Sequence, residues 1–224
     1  MSAKVPGTLS LVLVPALLTL AISVVRLCGE LFDWNRTLFG QPEAGGGAAV
    51  LGISWLIFVF GLWFGLRLQR TGAGPAARGK ALVLSLVAVG IVLGGMPALQ
   101  AAGVMWFPDA EHPGEPRGLG WMLGLMAVGC VVSALAWGRA AMTLLVYGVL
   151  ARLPVVVITW IALGQPGWNT HYTKIPPFFT NIAEADRAGF LIMPQVTFWP
   201  GLTVLLGTAM ACLGAFLGGR KGKG

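Results

Sequence analysis

Most of the chain is taken up by apolar runs long enough to cross a lipid bilayer. A hydrocarbon core of about 30 Å takes roughly 20 helical residues at about 1.5 Å each. Six segments approach or exceed that length, near 8–30, 48–68, 80–106, 119–137, 140–164 and 188–218. In lipid, backbone amides must be satisfied by helices or a closed barrel, and continuous rather than alternating apolar stretches favour helices. Of the 224 residues, 56% are hydrophobic and 10% charged, against roughly a quarter charged in soluble domains. The expected fold is an all-α integral membrane protein. It is a bundle of about six transmembrane helices, with residues 1–224 forming a single polytopic membrane domain.

Charge gives this bundle an orientation. In a six-span arrangement Lys4, Arg67, Arg70, Arg78, Lys80, Arg139, Arg220, Lys221 and Lys223 share one side, which has no acid. The other side has Arg36, Arg117, Lys174 and Arg187 together with all eight acids. Basic loops stay in the cytoplasm, so both termini are expected there. The net charge of +7 then reflects topology and attraction to anionic lipid on the cytoplasmic side, and no nucleic-acid partner is expected. Lys4 and the run Leu9–Val25 resemble a signal peptide, but Arg26 stands where a small-residue cleavage site is needed. The first helix is read as a retained anchor.

Glycine and proline mark the connections. Thr71 to Gly79 is expected to form the main cytoplasmic turn and Gly138-Arg139 a tight hairpin. Gln165 to about Arg187 is the longest outer segment. Asn181-Ile182-Ala183-Glu184 has the form of a capping arrangement. It predicts an interfacial helix near 182–193 that runs into the last span and bends at Pro194 and Pro200. Trp168, Tyr172, Phe178 and Phe179 are expected at headgroup level. The pairs Gly61/Gly65, Gly90/Gly94, Gly120/Gly124 and Gly214/Gly218 suit close helix packing, chiefly within the monomer. The three cysteines match no metal spacing, and no disulfide is expected.

Arg152 stands out chemically. It lies midway along the fifth apolar run, two residues before Pro154, and no acid has a comparable position. An intramembrane guanidinium is costly without partners, and Pro154 deprives the Leu150 carbonyl of its helical donor. Gly148 and Thr159 share its helix face. Gln100, Gln195, Ser23 and Thr19 are candidate partners from other helices. Two readings follow: an anion or lipid-headgroup site, or a structural arginine held by carbonyls and amides. Arg26 and Glu30, one helical turn apart, read as a snorkelling pair at the outer surface.

Both histidines fall on the outer side. His171 and Tyr172, with Glu184 and Asp186, form one candidate surface cluster; Asp109, Glu111 and His112 form another. Neither has the spacing of a known metal or hydrolase motif. No metal site and no cofactor are predicted, and no catalytic residue is assigned. The leading functional reading is a non-enzymatic accessory subunit or lipid-binding scaffold of a membrane complex, whose partners are the lipid bilayer and a second membrane subunit. The alternatives are a small-solute or lipid-headgroup transporter or channel with an anion site at Arg152, and a membrane enzyme acting at the outer surface through His171.

Overall fold

The computed structural model describes residues 6–40, 49–50 and 52–219. Among these the structure is all helical: α1 (Thr8–Leu31), α2 (Arg36–Phe39), α3 (Leu56–Arg70), α4 (Arg78–Ala101), α5 (Leu119–Leu163), α6 (Glu184–Val196) and α7 (Phe198–Leu217), with a 3₁₀ turn at His171–Thr173. Among the described residues, four helical stretches are long and apolar enough to cross a membrane: α1, α4, α5, and the run Glu184–Leu217 comprising α6 and α7. Leu13, Leu17, Val83, Leu86, Leu93, Leu135, Leu153 and Trp160 are exposed. So much outward apolar surface is foreign to a soluble monomer and suits a lipid-facing exterior.

A straight helix of 45 residues would be about 68 Å long. Instead α5 is broken at Trp137, whose φ of −160° and ψ of 87° are extended. Contacts with α7 show the reversal. Gly201 lies against Met126 and Gly129 against Leu205, whereas Leu144 packs on Gly207 and Gly148 on Thr203. The first half of α5 therefore runs with α7 and the second half against it. The corner sits at Trp137, one residue before the expected Gly138-Arg139 hairpin. Its indole N–H donates to the Ala73 carbonyl at 3.2 Å, so the turn is anchored by a side chain rather than made by the glycine.

The other helices follow the same alternation. Gly61 and Gly65 of α3 abut Gly207 and Ala211 of α7, so these two run parallel. On α4, Gly95 faces Leu125 while Val92 faces Gly129, which makes α4 antiparallel to the first half of α5. The Arg139 side chain donates to Pro6 O at 2.8 Å, and Thr19 meets the Tyr147 hydroxyl at 3.0 Å. Hence α1 runs parallel to the second half of α5. At the Trp137 end, Leu11, Val12, Phe64, Leu68, Leu144 and Tyr147 form the largest buried cluster.

Three expected boundaries shift. The second apolar run becomes helical only at Leu56, after bends and turns at residues 53–55; residues 48 and 51 of that run lie outside the described residues. The helix after the long outer segment starts at Glu184, with Ala183 at its N-cap and no side-chain cap. Asn181 has a φ of 62° and does not cap it, since a capping residue needs extended backbone. Finally, the chain breaks at Thr197, between Pro194 and Pro200: Pro200 has no amide for the Val196 carbonyl, and the break leaves it in the first turn of α7, where none is required.

The glycine pairs also divide. A Cβ on Gly61 would come 2.8 Å from Gly207 O, and one on Gly214 would come 2.5 Å from Leu62 O. By contrast, Gly90, Gly94, Gly120 and Gly124 meet nothing within 4 Å. The first set closes α3 onto α7; the second faces outward.

At the far end from Trp137 the loops bind one another. Gly114 donates to Phe178 O at 2.9 Å and accepts from Thr180 at 3.0 Å. Phe179 packs on Phe178 and Phe190.

Candidate functional site: a basic cavity between α1, α5 and α6

The end of α1 builds the first wall. With no side chain on Gly29, the Phe39 ring lies directly on α1. Asn35 caps α2 by accepting from Thr37 and Leu38 at 2.9 and 3.3 Å. That approach brings the Phe39 carbonyl within 3.2 Å of Arg26 Nε, which also donates to Glu30 Oε1 at 3.0 Å. The Arg26 guanidinium then passes beside Gly40, where a Cβ would come 3.2 Å from Nη2. The φ of 93° at Gly40 lies in the region that favours glycine. Arg26 and Glu30 thus form the expected helical pair, but their side chains are 8% and 1% exposed. They turn into the protein rather than out to the headgroups.

The 3₁₀ turn supplies the second wall. The His171 backbone N–H donates to Glu30 Oε2 at 2.9 Å, and His171 Nδ1 lies 2.5 Å from Oε1. The Glu30 carboxylate therefore receives Arg26 and two groups of His171. Tyr172 is buried beside the His171 ring, with its hydroxyl 3.5 Å from the Ser23 carbonyl. Burial pushes the His171 imidazole below its ordinary pKa despite the opposing Glu30 carboxylate, and the Arg26 charge acts in the same direction as burial. Burial also raises the pKa of the Tyr172 phenol.

Arg152 supplies the third wall. It is 7% exposed. Its Nη1 donates to Gln195 Oε1 of α6 at 3.2 Å, and its Cζ lies 4.1 Å from the centroid of the Trp199 ring, a cation–π arrangement. Both partners are uncharged. Between the walls is a cavity of about 450 Å³, whose lining includes Arg26, Arg152, His171, Gln195 and Trp199. That volume is within the roughly 300–1,000 Å³ usual for small-molecule sites. Two guanidiniums line the cavity, and the Glu30 carboxylate bonded to Arg26 offsets one of them. The other positive charge, on Arg152, has no carboxylate opposite it among the described residues.

The remaining sequence candidates are distributed differently. Ser23 lines the cavity, while Thr19 bonds Tyr147 and Pro15 O below it. Gly148 packs against Thr203 and Pro200 of α7. Thr159 is buried but is not part of the lining. Gln100 is exposed near the end of α4 and is no partner of Arg152, because α4 packs on the other half of α5. The proposed outer cluster is also split. His171 and Tyr172 face inward, whereas Glu184 pairs with Arg187 at 3.3 Å and is 85% exposed; Asp186 is exposed on the same turn. The second outer cluster is an exposed loop, in which Asp109 accepts from the backbone of Glu111 and His112 at 2.9 and 2.7 Å. The His112 amide in particular holds the Asp109 carboxyl below its ordinary pKa.

Among the described residues, no group of three or more His, Cys, Asp or Glu comes together as a metal site, and Cys28, Cys130 and Cys212 are free thiols. Sequence reasoning did not place Arg26, Trp55 or Trp199 at the cavity, nor Glu30 behind Arg26 and His171. The available signal was Arg26 itself, a second arginine within an apolar run. Comparison with known proteins finds no matching family model, no matching curated protein and no matching solved structure.

Proposed function

We propose that this chain is a non-enzymatic multi-pass membrane protein that holds an anionic group, either a lipid headgroup or a small solute, against Arg152. One observation carries the reading. A buried guanidinium with five N–H donors has, among the described residues, one hydrogen bond, to an amide oxygen, and an indole face as its partners, and it borders the cavity. Buried charges require opposite charge or dense hydrogen bonding, and a bound oxyanion supplies both. The alternating helix directions support six passes. Arg67, Arg70, Arg78 and Arg139 gather at the Trp137 end, which supports cytoplasmic termini and anionic lipid on that face.

The test is native mass spectrometry of wild type, Arg152→Leu and Arg152→Lys with matched anionic and zwitterionic lipids, alongside competition by a soluble anion. Wild type should retain anionic lipid, Arg152→Leu should lose it with its thermal midpoint little changed, and Arg152→Lys should keep part of it, since a point charge replaces the planar fork incompletely. Competition by soluble anion without lipid retention would identify a solute site. Equal lipid retention and equal competition in all three proteins would overturn the reading.

A second reading, an accessory subunit of a membrane complex, is supported by the outward glycines. Gly90, Gly94, Gly120 and Gly124 have open space beside them, the surface at which a helix of another subunit can approach closely. Chemical cross-linking from cysteines placed at Gly94 and Gly124 tests it.

A further inference from the structure

Resting on the anion reading of the cavity, we infer that the cavity takes up its oxyanion together with one proton, shared between Nε2 of His171 and a ligand oxygen.

An ionised carboxylate only accepts hydrogen bonds, so the contact between His171 Nδ1 and Glu30 Oε1 places a hydrogen on Nδ1. In the neutral ring Nε2 is then a bare acceptor. His171 lines the cavity, and among the described residues Nε2 has no protein partner. Nearby groups hold this state. Arg26 and Glu30 stand against the ring from α1, Tyr172 lies beside it in the same turn, and Arg152 faces the cavity from α5. The carboxylate is already engaged by Arg26 and by the His171 amide, so it stays ionised and keeps Nδ1 as the donor. Burial keeps the ring neutral while no anion is present.

An oxyanion that spans the cavity from Arg152 to His171, both of which line it, presents lone pairs to a lone pair on Nε2, which is repulsive unless a hydrogen lies between them. Either Nε2 takes a proton from solvent and donates it to the anion, or the ligand enters as its conjugate acid and donates to Nε2. Relative to the deprotonated anion in solution, both routes add one proton drawn from solvent, as N–H on the ring or O–H on the ligand, and no covalent bond joins ligand to protein. The incoming negative charge also compensates an imidazolium that the Arg26 guanidinium otherwise opposes. The ligand class is therefore a singly charged oxyanion, bound more tightly as pH falls.

The test uses probes with no ionisable hydrogen or hydroxyl of their own: phosphatidylmethanol in phosphatidylcholine nanodiscs, and dimethyl phosphate in solution with phosphatidylcholine nanodiscs alone. Calorimetry of the full chain in two buffers of different ionisation enthalpy counts the protons taken up. Wild type should take up close to one proton per bound anion above pH 7, with affinity falling about tenfold per pH unit. In His171→Asn the amide nitrogen overlies Nδ1 and preserves the donor to Glu30, but no base faces the cavity. That variant should take up no proton, bind with no pH dependence, and be weaker than wild type at pH 7. If it fails to fold, the proton count on wild type alone decides. Binding that is lost in Arg152→Leu but brings no proton in wild type would overturn this inference and leave the anion site standing. Binding of neither probe would overturn both. Response to phosphatidylmethanol but not dimethyl phosphate identifies a headgroup as the source, and the reverse identifies a free solute; either supports the inference if the proton accompanies it.

Discussion

Nδ1 of His171 lies 2.5 Å from Oε1 of Glu30, joining the segment after α5 to the end of α1 across 141 positions of sequence. The carboxylate is the hub of the contact. It receives Arg26 from its own helix and both the ring and the amide of His171, and through them it fixes the position of one cavity wall.

Glu30→Leu should destabilise the protein by about 3 kcal/mol or more, since removing one partner leaves a buried charge uncompensated. The exposed pair of Glu184 and Arg187 provides the contrast, with Glu184→Gln costing under about 1 kcal/mol. Unfolding in detergent measures both, and equal effects would refute the hub.

Stability should respond to acid through His171. The unfolded chain takes a proton at this residue near the ordinary value of about 6.5, whereas burial lowers the folded value. The contribution is thus fully present above pH 6.5 or so and is lost as pH falls from there toward the folded value. Thermal midpoints measured without anionic ligand should drop below about pH 6.5, and His171→Asn should remove that part of the slope. Identical pH profiles for the two proteins would count against it.

Glycine substitutions should separate the two helix faces. Gly65→Ala drives a methyl into the Ala211 carbonyl of α7, and overpacking of this kind costs roughly 1–3 kcal/mol. Gly94→Ala and Gly120→Ala project into open space and should change stability by no more than about 1 kcal/mol, in the direction of better helix propensity. Midpoints of the three variants in one detergent decide the matter.

The corner of α5 should depend on an indole. Trp137 is 5% exposed and packs with Leu144 and Tyr147 in the cluster nearest the turn. Trp137→Phe loses the hydrogen bond to Ala73 O, at about 1 kcal/mol. Trp137→Ala also opens a cavity, at about 3–5 kcal/mol. Denaturant unfolding of the pair gives the difference.

Reporter fusions check the orientation. Those after Ala76 and at the C-terminus should behave as cytoplasmic, and those near Gly114 and Thr173 as external. Reversal at any one position would break the charge argument.

The class of fold was legible in the sequence because membrane insertion depends on properties carried along the chain, namely apolar length and the placement of Lys and Arg. Arg152 was legible as a site for the same reason: a charge in an apolar run is a local conflict. The tertiary structure decided who answers that charge. Gln195 and Trp199 reach it from α6 and α7, while Gln100, of the same residue type as Gln195, faces outward on α4. The α5 corner falls within one residue of the expected Gly138-Arg139 hairpin, but its anchor, the hydrogen bond from Trp137 to a residue 64 positions away, belongs to the tertiary structure. Glu30 read as a surface residue because it ends an apolar run, and His171 because it lies in the outer segment that follows the fifth run. They are buried because Phe39 at the end of α2 packs on Gly29 and the 3₁₀ turn lays His171 against the Glu30 carboxylate. Hydrophobic length and charge are one-dimensional quantities that the bilayer reads directly. Burial, hydrogen-bond partners and the cavity arise from backbones brought into contact across the bundle, and no local pattern encodes which surfaces will meet.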